Sequence, residues 1–135
     1  MLEVFSSNVT VASGASIPLN NILLLKGCSA ALSGANSITF NKCGIYLVTV
    51  NANATSADAT GEVSIQLAKN GVLQAIPSSE TVASTTAIHA LSFTALVQVP
   101  GNSSKCDRCS VPTTITIENV GNAATIDLNV TVTAI

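Results

Sequence analysis

Charged residues are scarce in this 135-residue chain: they make up 9% of it, against about 25% in an average soluble protein. Five basic residues stand against seven acidic ones, which gives a net charge of −2. Such a chain has no basic patch with which to neutralise a row of phosphates. The composition therefore argues against nucleic acid as a partner and against electrostatic docking on a membrane.

Long apolar runs and helical stripes are missing as well. The run Ile22-Leu23-Leu24-Leu25 is typical of the longest apolar stretches and is far too short to span a bilayer. No window carries the i, i+3, i+4, i+7 apolar pattern of an amphipathic helix. No basic region precedes an apolar stretch near Met1, so no secretory signal is expected. Membrane insertion and a helical fold are both disfavoured.

The sequence also lacks a recognisable set of catalytic residues. The acidic residues are dispersed, His89 is the single histidine, and neither a Ser/His/Asp set nor a phosphate-binding loop can be recognised. We therefore expect a protein that is not an enzyme.

Period-2 alternation of apolar and polar residues fills the chain. In the last segment Ile126, Leu128 and Val130 fall on one face, while Asp127 and Asn129 fall on the other. Gly, Asn and Ser turn signals separate such segments at short intervals, which favours one all-β sandwich or barrel over residues 1 to 135. The predicted strands are 3 to 11, 16 to 26, 37 to 41, 44 to 54, 61 to 69, 72 to 81, 86 to 99, 112 to 119 and 123 to 134.

The strongest turn signal is Asn70-Gly71, which lies between the apolar segments 63 to 67 and 72 to 73. A two-residue type I′ hairpin needs a positive φ at both central positions, and Asn-Gly is the pair that adopts it most readily. A β-hairpin is predicted here.

Three segments together resemble the tumour necrosis factor and complement globular-head superfamily. They are the short strand ending at Phe40, the strand Gly44-x-Tyr46-x-Val48-x-Val50, and the hairpin Val63-x-Ile65-x-Leu67-x-x-Asn70-Gly71. The chain is most similar to the bacterial and phage branch, such as the heads of collagen-like exosporium glycoproteins. The resemblance implies an antiparallel jelly-roll sandwich of about 8–10 strands that assembles as a homotrimer.

The same resemblance implies a structural role on a particle surface. No Gly-x-y collagen stalk precedes the head in this sequence, and the aromatic-Gly-x-Leu ending of many animal members is missing. We therefore expect a phage virion protein made in the bacterial cytoplasm, a capsid decoration or fibre head that contacts a capsid or fibre protein. The alternatives are a receptor- or glycan-binding head that contacts a host surface ligand, and a bacterial spore or cell-surface coat protein.

Four cysteines are the residues best suited to chemistry. Cys106 and Cys109 form a C-x-x-C pair, and Cys28 and Cys43 lie far upstream. If the jelly-roll path brings their loops to one pole, the four thiolates form a structural zinc site. Two disulfides, Cys28 to Cys43 and Cys106 to Cys109, are an equal alternative, and uncoordinated thiols are a third.

The strand 86 to 99 is apolar on both faces, which suggests that both faces are buried. If subunits meet through this strand, we expect His89, Leu91 and Phe93 at the trimer interface, together with Tyr46 on another strand. A lone histidine on an apolar face is more often a packed or interface residue than a ligand.

Overall fold

In a computed structural model the segments with alternating apolar and polar residues form two antiparallel sheets packed face to face. The structure describes residues 1–27, 29–74, 76–102, 105–109 and 113–135, with the backbone alone at 102 and 105–109. Within these residues the strands in chain order are β1 (Leu2–Val11), β2 (Asn21–Leu25), β3 (Ala30–Ser33), β4 (Ser37–Phe40), β5 (Gly44–Ser56), β6 (Glu62–Lys69), β7 (Val72–Leu73), β8 (Ser78–Thr81), β9 (His89–Val99), β10 (Gly101–Asn102), β11 (Lys105–Cys109), β12 (Thr113–Asn119) and β13 (Ala124–Ala134).

Each layer of the sandwich is one sheet. Sheet I has the strand order β2-β1-β13-β5-β9, and sheet II has the order β3-β4-β12-β6-β7, with β8 also pairing with β6. The strands β10 and β11 form a separate small hairpin. The prediction of an all-β, antiparallel sandwich is confirmed. No helix in the described part of the chain could cross a bilayer.

Strand β5 sets the register of sheet I. It pairs with β13 from Ala124↔Ser56 to Ala134↔Tyr46, and with β9 from Gly44↔Val99 to Ala54↔His89. Because successive side chains point to opposite faces, a slip by one residue would turn every apolar side chain of these strands to solvent. The long matching registers therefore fix which face of sheet I is inside.

The core lies between the sheets and is almost wholly apolar. Fully buried side chains from both sheets fill it, among them Ile38, Ile65 and Val48. The rings of Phe40, in sheet II, and Tyr46, in sheet I, lie 4.4 Å apart at an angle of 45°, a tilted packing that aromatic pairs favour. The Tyr46 hydroxyl donates to the Lys42 carbonyl oxygen at 2.7 Å, so its polar end is satisfied.

The predicted strand 16 to 26 is wrong in its first half. Ser16 bridges to Glu118 of sheet II, whereas Asn21–Leu25 pairs with β1 of sheet I. The segment between them crosses from one sheet to the other, and Pro18 inside it has no N–H for a ladder hydrogen bond.

Three further strand assignments differ from the predictions, one of them being the hairpin of β10 and β11, which lies where no strand was predicted. The segment 72 to 81 divides into β7 and β8, and Pro77 stands before the second of them. Residues 30–33, for which no strand was predicted, form β3 against β4.

The predicted hairpin is confirmed: Asn70 and Gly71 have φ values of 51° and 82°, and β7 pairs back onto β6.

Asn119 joins the two sheets at one corner. Its side chain is buried, and its Nδ2 group donates to the carbonyl oxygens of Val11, Ala12 and Asn122 at 3.2, 3.3 and 2.9 Å. Its Oδ1 atom accepts from the Gly121 N–H at 3.1 Å. The amide thus binds the end of β1 to the turn between β12 and β13, with donors and acceptor both in use.

We predict that Asn119→Asp lowers the free energy of unfolding by roughly 3–5 kcal/mol, because one carboxylate oxygen would replace the Nδ2 donor and face three carbonyl oxygens. The other oxygen alone keeps the Gly121 N–H as a donor. Chemical denaturation at a fixed protein concentration measures the change. Asn20→Asp is the matched control, since the Asn20 side chain is exposed, and should change stability by no more than about 0.5 kcal/mol. Equal effects of the two substitutions would contradict the role given to Asn119.

Candidate interaction face

The outer face of sheet I is open in the single chain. On each of its long strands the alternate residues that do not enter the core point to solvent. We call the surface that they form on the four long strands the open face. Its residues are Glu3, Phe5, Ser7, Thr10, Ile45, Leu47, Thr49, Asn51, Asn53, Thr55, Ala90, Ser92, Thr94, Leu96, Gln98, Thr125, Asp127, Asn129, Thr131, Thr133 and Ile135.

Charge is almost absent from the open face. Glu3 and Asp127 are its two charged residues, and both are acidic. Asp127 is held in place, because its Oδ1 atom accepts from the Asn8 N–H at 2.6 Å and from the Ser7 hydroxyl at 3.5 Å. These donors come from an irregular stretch of β1 between Ser6 and Val9, where Asn8 has a φ of 54°. A face this free of charge carries a small desolvation cost on burial.

One end of the open face is apolar. Leu47 on β5 lies directly opposite Leu96 on β9, and the Ile135 N–H donates to the Ile45 carbonyl oxygen at 2.9 Å. Leu96 is 66% exposed, Ile135 78% and Ile45 48%. Single exposed apolar residues are common, but a contiguous group on one sheet face is typical of a contact surface.

The other end of the open face is polar and concave. Asn51 pairs with Asn129 on one side and with Ser92 on the other, and Asn53 pairs with Asp127. These side chains and Phe5 line a groove of about 510 Å³. The groove offers amide donors, amide acceptors, serine hydroxyls and a carboxylate, and no three metal-ligating side chains converge in the part of the chain that the structure describes.

The edge of sheet I beside the open face is also uncovered. All five residues of β2 are exposed, including the consecutive Ile22, Leu23, Leu24 and Leu25. The strand pairs with β1 on one side, and its other side is the sheet edge. Exposed apolar edge strands readily pair with another chain unless they are covered.

The predicted interface residues lie on the opposite side of the same strands. Tyr46, His89 and Leu91 are buried in the core of the single chain, and Phe93 packs partly buried against that core. Their interface role stays a prediction. The alternate residues of β9, including Leu96, point to solvent, so the chain itself buries one face of this strand and not both.

His89 is 4% exposed and lies near one acidic group. Its Nδ1 atom is 3.4 Å from Oε1 of Glu80, a residue of β8 whose side chain is about half exposed. Its Nε2 atom is buried and has no hydrogen-bond partner among the described residues. An imidazole in this position is a packed core residue with one unsatisfied nitrogen.

The cysteine prediction reaches beyond what the structure describes. Cys28 lies outside the described residues, and Cys106 and Cys109 lie on β11, of which the backbone alone is described. Cys43 is half-buried and directly precedes β5. Among the side chains that the structure describes, no three metal-ligating groups converge. Zinc, disulfides and uncoordinated thiols all stay open on these observations.

Comparison with known proteins identifies structures with the fold of this chain but no sequence family to which it belongs. No family model matches the sequence, and no curated protein matches it. Murine APRIL at pH 5.0 superimposes with a TM-score of 0.61 and 11% identity over 96% of this chain and 97% of APRIL. The PRD1 vertex protein P5 gives a TM-score of 0.61 and 20% identity over 99% of this chain and 72% of P5. Rabbit GITRL gives a TM-score of 0.51 and 9% identity over 99% and 95% of the two chains.

At these identities the likeness shows the fold. The chain has the antiparallel jelly-roll fold that murine APRIL, rabbit GITRL and the PRD1 vertex protein P5 also have. The resemblance seen in the three sequence segments is thereby confirmed at the level of architecture.

We predict that His89→Leu raises the free energy of unfolding by about 1 kcal/mol, because leucine removes a buried nitrogen that lacks a partner. Thermal and chemical unfolding measure the change, and Glu80→Gln is the control for loss of the neighbouring charge. A loss of stability on His89→Leu that Glu80→Gln does not reproduce would contradict the prediction and show that packing of the imidazole outweighs the cost of its unsatisfied nitrogen.

Proposed function

We propose that this chain is the subunit of a homotrimeric head on the surface of a virion, where it decorates a capsid or caps a fibre. Its task is to hold a rigid, neutral domain on the particle by contacts with copies of itself and with a capsid or fibre protein. It performs no chemistry of its own.

The fold comparison supports a virion setting. The PRD1 structure is named as a vertex protein, and it matches nearly the whole of this chain. Its 20% identity exceeds that of murine APRIL and rabbit GITRL, at 11% and 9%. A jelly roll also hosts unrelated functions, so the fold alone does not decide between them.

The observation that carries the proposal is the open face. No strand among the described residues covers the outer face of sheet I, which has an apolar end at Ile45, Leu47 and Leu96 and an exposed apolar edge strand, β2. A monomer in water would present this surface at a risk of aggregation. Self-association buries it, and the near absence of charge keeps the desolvation cost of that burial small.

A recognition head is the second candidate, because the polar groove of the open face would suit a neutral, hydroxyl-rich ligand such as a saccharide. Asn51, Asn53 and Asp127 could share hydrogen bonds with sugar hydroxyls, and Phe5 offers an aromatic ring. The groove lies on the surface that assembly would cover, so an oligomer through this face closes it. A coat protein of a bacterial spore or cell would use the same assembly and is distinguished by its genomic neighbours.

We predict that Leu96→Asp breaks the assembly while the chain still folds. Leu96 is exposed in the single chain, so the carboxylate costs the monomer little. In a contact between copies it is an uncompensated charge, which should weaken association at least roughly 100-fold. Native mass spectrometry and sedimentation equilibrium count the subunits.

Val72→Asp is the matched control, because Val72 is 62% exposed and lies on β7 at the edge of sheet II. This variant should keep the subunit number of the unmodified protein. A Leu96→Asp protein that still forms trimers would remove the open face from the interface, and a monomeric unmodified protein would overturn the trimeric head.

A further inference from the structure

We propose that the subunits join head to tail, with the exposed edge strand β2 of one copy packed against the apolar end of the open face of the next copy. The proposal rests on the trimeric head proposed above, and it names the two surfaces that meet. A closed ring of identical subunits needs such a pair of different surfaces on each chain, because each subunit contacts one neighbour on either side.

The two surfaces lie towards opposite edges of sheet I. Strand β2 is one outer strand of this sheet, and β9, which carries Leu96, is the other. The isoleucine and three leucines of β2, residues 22–25, are each between 43% and 56% exposed. Four strand spacings of about 4.8 Å put the two edges about 19 Å apart. One copy therefore cannot cover its own β2 with its own Leu96.

The register of sheet I places the two surfaces at the same level along the strands. One row of paired residues crosses all five strands: Leu24, Glu3, Thr131, Thr49 and Thr94. Leu96 lies two residues beyond Thr94. Since β2 and β9 run in the same direction, Leu25 is one residue, or about 3.3 Å, short of the level of Leu96. Two surfaces at one level allow a closed ring, whereas a large offset between them would build an open helical filament.

The two surfaces also face the same way. Residues paired across neighbouring strands point to the same side of a sheet, so Leu24 points to the side of its partner Glu3, a residue of the open face. Leu96 belongs to the open face as well. A threefold axis in front of this face brings the β2 edge of each copy to the β9 edge of its neighbour. The polar middle of the open face then lies towards the axis.

The size of the surface between the two edges suits a specific interface. Strand β13, in the middle of sheet I, has 11 residues, which span about 36 Å at about 3.3 Å per residue. With a width of about 19 Å, the face from β2 to β9 covers roughly 700 Å². A standard protein interface takes about 800 Å² from each partner. The open face and its two edges are therefore large enough to hold copies together.

Charge does not oppose the contact. Strand β2 consists of one asparagine, one isoleucine and three leucines, and the apolar end of the open face contains no charged side chain. The charged residues next to β2 are Glu3, opposite Leu24, and Lys26, directly after the strand. They have opposite signs and lie beside the apolar run. Packing of the two surfaces therefore buries apolar area without placing an unpaired charge between them.

The test mixes two variants of the full chain, Leu24→Asp on one surface and Leu96→Asp on the other. Each variant keeps one intact surface, and neither can form an intact contact with a copy of itself. In the mixture, the β2 strand of the Leu96→Asp chain meets the open face of the Leu24→Asp chain, and a 1:1 dimer should form that cannot close into a ring. Sedimentation equilibrium should show the mixed pair binding at least roughly 100-fold more tightly than either variant binds itself, as removal of one buried unpaired charge predicts.

Leu23→Asp, at the most exposed position of β2, replaces Leu24→Asp if a second carboxylate opposite Glu3 unfolds the chain. Val72→Asp is again the control, because Val72 belongs to a separate exposed apolar group at the edge of sheet II, and mixing it with either variant should yield no discrete 1:1 dimer. A mixture that binds no more tightly than its components, or a β2 variant that still forms trimers, would overturn the head-to-tail contact and leave the trimeric head standing. A monomeric unmodified protein would overturn the trimeric head itself.

Discussion

The register of β5 is the constraint on which the rest of the structure depends. This strand pairs residue by residue with β13 and β9 over their whole lengths, and the period of two then assigns every side chain of three strands to the core or to solvent. The inner face receives the valines, alanines and leucines that fill the sandwich. The outer face receives threonine, asparagine and serine, together with a few exposed leucines and isoleucines. The pairing of β5 with β13 and β9 thus determines both which side chains fill the core and which form the open face.

The sequence predicts this central region well because the alternation of apolar and polar residues along a strand corresponds directly to its buried and exposed faces. β13 and the Asn70-Gly71 hairpin are close to their predicted positions. The sequence does not reveal that the chain passes from one sheet to the other at Pro18. The segment from Ser16 to Leu25 has the pattern of one apolar strand, but Ser16 pairs in sheet II and Leu25 in sheet I. Asn119 gave no signal at all, because its importance comes from carbonyl groups far away along the chain.

The face of β9 shows the limit of pattern analysis most clearly. His89, Leu91 and Phe93 alternate with Ala90, Ser92 and Leu96, and both sets contain apolar residues, so periodicity finds the strand without telling which side is inside. Pairing with β5 decides it, because Leu91 stands opposite Ala52 and Val97 opposite Tyr46, all of them buried. The chain itself buries one face of this doubly apolar strand, and the other face is the one that the proposed assembly would cover.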